Sequence, residues 1–183
     1  RLLVVQNDPT DPVALLGEWW AELGIEMDVV RADQGEPVPS TLPERYDGLV
    51  LLGGEMAAWE DDRAPWLPDE RALIVHAVED DKPVLGVCLG GQLMTLACGG
   101  EVGRAPVAEV GVYEIDLLPS AADDPVFSAL VDRAPVAQYH QDAMLAAPEG
   151  AVVLASTEGC PIQAWQLAHR QWAVQFHPGV DEG

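Results

Sequence analysis

Lysine is almost absent. Lys82 is the only one in 183 residues, and with eight arginines it faces 31 acidic side chains, for a formal net charge of −22. The acidity is spread along the chain rather than gathered in a tail. Most of such a surface repels a polyanion, so neither nucleic acid nor an anionic membrane is an expected partner. No apolar stretch reaches the roughly 18–20 residues of a membrane span and no secretory pattern opens the chain, so a cytoplasmic protein is expected. Cysteine is scarce too: Cys88, Cys98 and Cys160 are too few, and odd in number, for a disulfide framework, which leaves free thiols. Metal-binding spacings of the Cys-x-x-Cys or His-x-x-x-His kind are missing, and Glu60-Asp61-Asp62 and Glu79-Asp80-Asp81 read as solvated charge. The glycine-rich stretches fit neither a phosphate loop nor a dinucleotide fingerprint. No metal and no cofactor is therefore expected.

What is present suffices for a core: 49% of the residues are hydrophobic, a normal share for one compact domain of this length. That domain is read as residues 1–183, trimmed at both ends, because the first residue is Arg1 rather than Met and the chain stops shortly after His177. The first half alternates short apolar strands with amphipathic helices, the pattern of a parallel sheet covered on both faces. Strands are expected at Leu2–Val5, Ile25–Val30, Gly48–Leu52 and Pro83–Val87. Helices are expected from Asp11-Pro12 to Leu23, with Asp11 as N-cap and Gly24 as stop, and over Pro65–Glu79 and Gly90–Cys98. From about Val110 onward β-type runs take over, at Val112–Leu118, Val136–His140, Val152–Ser156, Ile162–Leu167 and Trp172–Phe176, the last two joined as a hairpin. The expected fold class is α/β, a doubly wound and mainly parallel sheet with a small antiparallel extension in the second half.

Gly86-Val87-Cys88-Leu89-Gly90-Gly91-Gln92 places a thiol at the sharp turn between a buried strand and a helix, a cysteine version of the nucleophile elbow. The flanking glycines answer a steric need, since side chains there would collide with the neighbouring strand or helix. A helix N-terminus aimed at the sulfur favours thiolate over thiol. The same geometry offers the Leu89 N–H to a developing oxyanion, and the turn at Gly53-Gly54 could supply a second donor through Gly54. Cys98 and Cys160 are read as structural. Acyl transfer also needs a base, and only His76, His140, His169 and His177 are available. His76 lies on an amphipathic helix and His169 in a hairpin tip, whereas His140 and His177 each end a β run.

The elbow, the Gly53-Gly54-Glu55-Met56 segment and Gln175-Phe176-His177-Pro178 together resemble class I glutamine amidotransferases, in particular the stand-alone branch similar to the amidotransferase domain of GMP synthase. Further similar text occurs at Asp61-Asp62, Pro65-Trp66-Leu67 and Tyr139-His140-Gln141-Asp142, so the resemblance covers nearly the whole chain. It implies a flavodoxin-like domain that hydrolyses the side-chain amide of glutamine, with Cys88 attacking the amide carbon, His177 protonating the leaving ammonia, and water hydrolysing a glutamyl thioester. It also implies substrate contacts at Gly53, Gln92, His140 and Asp142, and a partner in the form of a separate acceptor enzyme or synthetase subunit. One position departs from the pattern. The resemblance calls for a glutamate two residues after the histidine to orient its ring, and this chain has Gly179. Asp181 and Glu182 are the carboxylates read as replacements, and a cysteine–histidine dyad is the alternative. Three functional readings remain open at this stage: a glutaminase that passes ammonia to an acceptor enzyme, a γ-glutamyl amide or peptide hydrolase with the same chemistry, and a catalytically impaired binding or regulatory domain.

Overall fold

The computed structural model describes residues 1–130 and 132–179. Nine strands form one sheet in the order β2-β1-β3-β4-β9-β8-β7-β5-β6. The strands are β1 (Leu2–Gln6), β2 (Met27–Arg31), β3 (Gly48–Leu51), β4 (Val84–Val87), β5 (Glu101–Leu117), β6 (Ala134–Ala146), β7 (Val152–Ser156), β8 (Ala164–Leu167) and β9 (Gln171–Val174). The pairings from β2 through β1, β3 and β4 to β9 are parallel, and those from β9 onward are antiparallel. The parallel half has the doubly wound order of flavodoxin-like folds, whose functional crevice lies at the carboxyl ends of the strands. The helices are α1 (Ala14–Glu22), α2 (Leu67–Glu79) and α3 (Leu89–Ala97). Among the described residues, no helix is long and apolar enough to cross a membrane.

Strand alternation distributes the core. Leu49 and Leu51 join Leu73, Ile74, Leu93 and Met94 of α2 and α3, together with the fully buried Trp165. Val50 and Leu52 point the other way and pack with Val4, Val13 and Trp20. Apolar side chains on both faces of one strand require cover on both sides, and the two helical layers supply it.

The largest differences from expectation lie in the pair β5 and β6, both longer than expected, and at α1. β5 starts at Glu101, because antiparallel pairing with β6 carries it through Gly103 and Pro106 with a register shift between Arg104 and Glu109. Only Asp116 and Leu117 pair with β7, so β5 and β6 form a long two-stranded ribbon whose pairing overrides weak local propensity. The second difference is at α1. Val13 occupies the N-cap position with no side-chain cap, and the Leu15 N–H donates to the Gly179 carbonyl at 3.2 Å. Asp11 is not the cap, and its carboxylate is directed elsewhere.

Candidate active site

The elbow forms where β4 leaves the sheet. Cys88 has φ 51° and ψ −108° and precedes the first residue of α3, a left-handed conformation that a non-glycine residue adopts only when its surroundings enforce it. The enforcement is visible. A Cβ on Gly86 would lie 2.6 Å from the Gly90 carbonyl, and one on Gly90 would lie 2.2 Å from the Leu51 oxygen, so strand and helix are in backbone contact on both sides of the thiol. The Cys88 N–H is held by the Val174 carbonyl at 2.8 Å. Its sulfur lies 3.9 Å from the Tyr139 carbonyl, and Gln175 Nε2 points at it from 3.7 Å. Leu89 begins α3, so its N–H is among the amides a helix leaves without an internal partner.

His177 follows β9 and is pinned by its own N–H, which donates to the Ala137 carbonyl of β6 at 2.9 Å. It shares a cavity of about 250 Å³ with Cys88, Gly54, Asp8, Asp11 and Tyr139. The ring's Nδ1 faces Asp11 Oδ1 at 3.5 Å, while Nε2 is buried with no hydrogen-bond partner. Burial disfavours the charged ring, but the interactions with Asp11 and Cys88 outweigh it and push His177 up to about 10. Both neighbours thus favour the protonated ring, whose Nε2 has no other hydrogen-bond partner.

The other sequence-derived residues are distributed around this cavity and away from it. Gly54 lines the same cavity and packs against Leu89: a Cβ there would stand 2.9 Å from the Leu89 side chain. Gly53 lies instead behind the histidine, against Asp11 and His177. A second, larger cavity of about 580 Å³ meets the first at Cys88 and is lined by Trp59, Arg63, Gln92, Arg104 and Asp142, with His140 in its wall. Gln92 spends its amide nitrogen on the Asp142 carbonyl at 3.0 Å and on Gln175 at 3.3 Å. Asp142 Oδ1 accepts no hydrogen bond and is 3.3 Å from Arg104. His76 and His169 line neither cavity. Asp181 and Glu182 lie outside the described residues.

His140 is committed within the protein. Its Nδ1 contacts the Asp142 carbonyl and its Nε2 contacts Glu109, each at 3.0 Å. Glu109 also accepts from Gln163 at 2.7 Å and from Thr157 at 2.6 Å. The ligand atoms of Glu109, His140 and Cys160 lie within 4.8 Å of one another, yet Glu109 is already in contact with three protein groups, and burial pushes the Cys160 thiol up to about 11. A closed hydrogen-bond network accounts for this cluster. Burial likewise pushes Cys98 up to about 11, in keeping with a structural thiol.

Residue-by-residue reading of the sequence missed Asp11, Gln175 and Arg104. Gln175 was within reach, since it opens the segment that carries His177. Arg104 carried no signal, because its place in the wall depends on the β5–β6 ribbon.

A family model described as glutamine amidotransferase class-I matches residues 15–183. The chain is 38% identical over 159 residues to the glutamine-hydrolyzing GMP synthase of Aeropyrum pernix, covering 87% of this chain but only 29% of that protein. It is 32% identical over 157 residues to one subunit of the glutamine-hydrolyzing GMP synthase of Methanosarcina barkeri, covering 85% of this chain and 76% of the subunit. The crystal structure of a glutamine amidotransferase from Thermotoga maritima superposes with a TM-score of 0.90 at 28% identity, covering 98% of this chain and 76% of that one.

Proposed function

Because the chain belongs to the class-I glutamine amidotransferase family, we propose that it hydrolyses the side-chain amide of glutamine to glutamate and ammonia, with Cys88 as nucleophile and His177 as proton carrier. The observation that carries this reading is the shared cavity in which the thiol of a strained residue at the start of α3 meets the buried ring of His177. Cys88 Sγ attacks the amide carbon, and the negative oxygen of the tetrahedral intermediate lies toward the Leu89 and Gly54 amides. The C–N bond breaks as His177 Nε2 gives its proton to the leaving nitrogen, which departs as ammonia and leaves a thioester. Water then adds to the thioester carbonyl, losing a proton to the neutral ring, and the C–S bond breaks to release glutamate and regenerate the Cys88 sulfur and the protonated ring.

The larger cavity would seat the amino-acid end of the substrate. In a chain of net charge −22, two of the eight arginines line it, with Arg104 beside Asp142. A guanidinium suits the α-carboxylate, and the Asp142 carboxylate beside it, which accepts no hydrogen bond at Oδ1, suits the α-ammonium. Arg104→Ala should raise KM for glutamine about tenfold, with kcat within about twofold, as loss of one partly exposed charge-assisted contact would. Steady-state kinetics at fixed ionic strength tests this, and an unchanged KM would place the α-carboxylate elsewhere.

A free ammonia molecule is useful only to an acceptor. By analogy with a relative that is named as one subunit of a synthase, the proposal includes a separate synthetase partner. The size of the second cavity, about 580 Å³, favours one other reading, hydrolysis of γ-glutamyl amides or peptides with leaving groups larger than ammonia. Incubation with glutamine and, separately, with γ-glutamyl peptides separates the two by glutamate release. Turnover confined to glutamine supports the amidotransferase reading, and faster turnover of the peptides replaces it with the hydrolase. Absence of turnover of either would sink both and leave a ligand-binding domain.

A further inference from the structure

We propose that Asp11, from the loop between β1 and α1, is the positioning residue that orients His177 and holds its proton, the task for which no side chain is present at 179. The inference deepens the reading of Cys88 and His177 given above and rests on it.

Three observations converge. Asp11 Oδ1 lies 3.5 Å from His177 Nδ1, and among the described residues it is the only carboxylate within ion-pair range of that ring. The carboxylate also occupies space that the chain has cleared for it. A Cβ on Gly53 would lie 1.8 Å from Asp11 Oδ2 and 3.1 Å from His177 Cε1, so any residue other than glycine at 53 would evict the carboxylate or the ring. At 179 the reverse holds: a Cβ would come within 2.7 Å of Leu16 Cγ and 3.2 Å of the Leu16 nitrogen, because the Gly179 carbonyl is engaged with the start of α1. The start of α1 fills the space a side chain at 179 would need, and the loop just ahead of that helix delivers a carboxylate to the same ring.

The loop is built to hold this acid in place. Pro12 restricts the backbone of the residue before it, and the Asp11 N–H donates to the Asp8 carbonyl at 3.3 Å. The other ionisable groups around the cavity are accounted for differently. Asp8 Oδ1 accepts from the Thr10 N–H at 2.8 Å and from its hydroxyl at 2.7 Å. Glu55 pairs with Arg63, Tyr139 is largely exposed, and Cys88 is the reaction partner itself. A separation of 3.5 Å is longer than a full hydrogen bond, as catalytic contacts often are before substrate tightens them. Asp11 also precedes residue 15, where the family match starts, so the match does not assign it.

The test follows the histidine rather than turnover. In protein labelled with nitrogen-15 at histidine, with His177 identified through His177→Gln, the ring should titrate with a midpoint well above neutrality, near 10. Asp11→Asn should lower that midpoint by about one pH unit or more, and Asp11→Glu should restore most of it. In the same proteins kcat for glutamine should fall about 10²–10³-fold in Asp11→Asn with KM nearly unchanged, the mark of a group that acts through the ring. Gly53→Ala, whose methyl takes the carboxylate's place, provides the same titration readout should Asp11→Asn fail to fold. A His177 midpoint that stays at the wild-type value in either variant overturns the inference. Wild-type protein that turns over no glutamine, yet shows the Asp11-dependent midpoint, would overturn only the reading of the reaction.

Discussion

Cys88→Ala is expected to lower the release of ammonia from glutamine by about 10⁴-fold or more while the protein stays folded, as loss of a nucleophile does when the rest of its site persists. The magnitude follows from what remains. Without the sulfur no thioester can form, and only positioned water near His177, the Leu89 and Gly54 amides and the substrate pocket are left to act on the amide. Those groups bind and polarise but do not split the reaction into two easier steps. Cys88→Ser should recover little, because a serine hydroxyl is a far weaker nucleophile than a cysteine sulfur near neutral pH. Folding should survive: the backbone strain at residue 88 is imposed by contacts at Gly86 and Gly90, which these variants leave alone, and alanine fits where the thiol was. Glutamine should therefore still bind to Cys88→Ala in calorimetry, with the loss falling on kcat. Ammonia release within tenfold of wild type would remove the thiol from the reaction.

The elbow was legible because its constraint is local. A nucleophile between strand and helix needs glycine at fixed offsets, and the contacts at Gly86 and Gly90 lie within a few residues or on the adjacent strand. The alternation of strands and helices in the first half was legible for the same reason, and the match to class-I glutamine amidotransferases bears out both the family and the α/β fold with its antiparallel extension. Asp11 was not legible, and its misreading is instructive. An aspartate before a proline at the start of an amphipathic run looks like an N-cap, and the residue type is right for that task. What decides its actual role is the neighbour it meets, a histidine 166 positions later in the chain. Nothing in the local pattern encodes that meeting except the absence of side chains at Gly53 and Gly179, and an absence has no period. The β5–β6 ribbon escaped for a related reason. Glycine and proline in its first half argue against a strand, and only cross-strand pairing over the elbow offsets them. His140 does line the larger cavity, and both its ring nitrogens are engaged by the protein.

Glu70→Gln should stabilise the protein at pH 8.5 and leave its stability nearly unchanged at pH 4.5. Glu70 is in the first turn of α2 and fully buried. One carboxyl oxygen accepts from Asn7 Nδ2 at 3.1 Å and the other has no partner. Burial pushes the group up to about 8 from an ordinary 4.5, against the lowering influence of Asn7 and Arg71. The sign follows from proton binding. Below about 4.5 both folded and unfolded chains hold the proton, so the residue adds no pH dependence. Between 4.5 and 8 the unfolded chain releases it while the folded chain keeps it, so stability falls as pH rises through that window, and above 8 the full cost persists. A shift of this size corresponds to on the order of a few kcal/mol, an upper bound that relaxation around the group would reduce. The amide of glutamine has the same shape and never ionises, so it removes the slope. Urea unfolding at the two pH values reads this directly, and parallel pH dependence in the two proteins would contradict it. The position also adjoins the active site. Asn7, held by Glu70, donates to the Leu52 carbonyl at 3.2 Å and accepts from Trp66 Nε1 at 2.8 Å, and its Cβ is 3.2 Å from where a Gly54 side chain would start. Because the Asn7 amide favours the ionised carboxylate, the alkaline cost comes from burial of the charge and falls on global stability rather than on the hydrogen bond between Glu70 and Asn7.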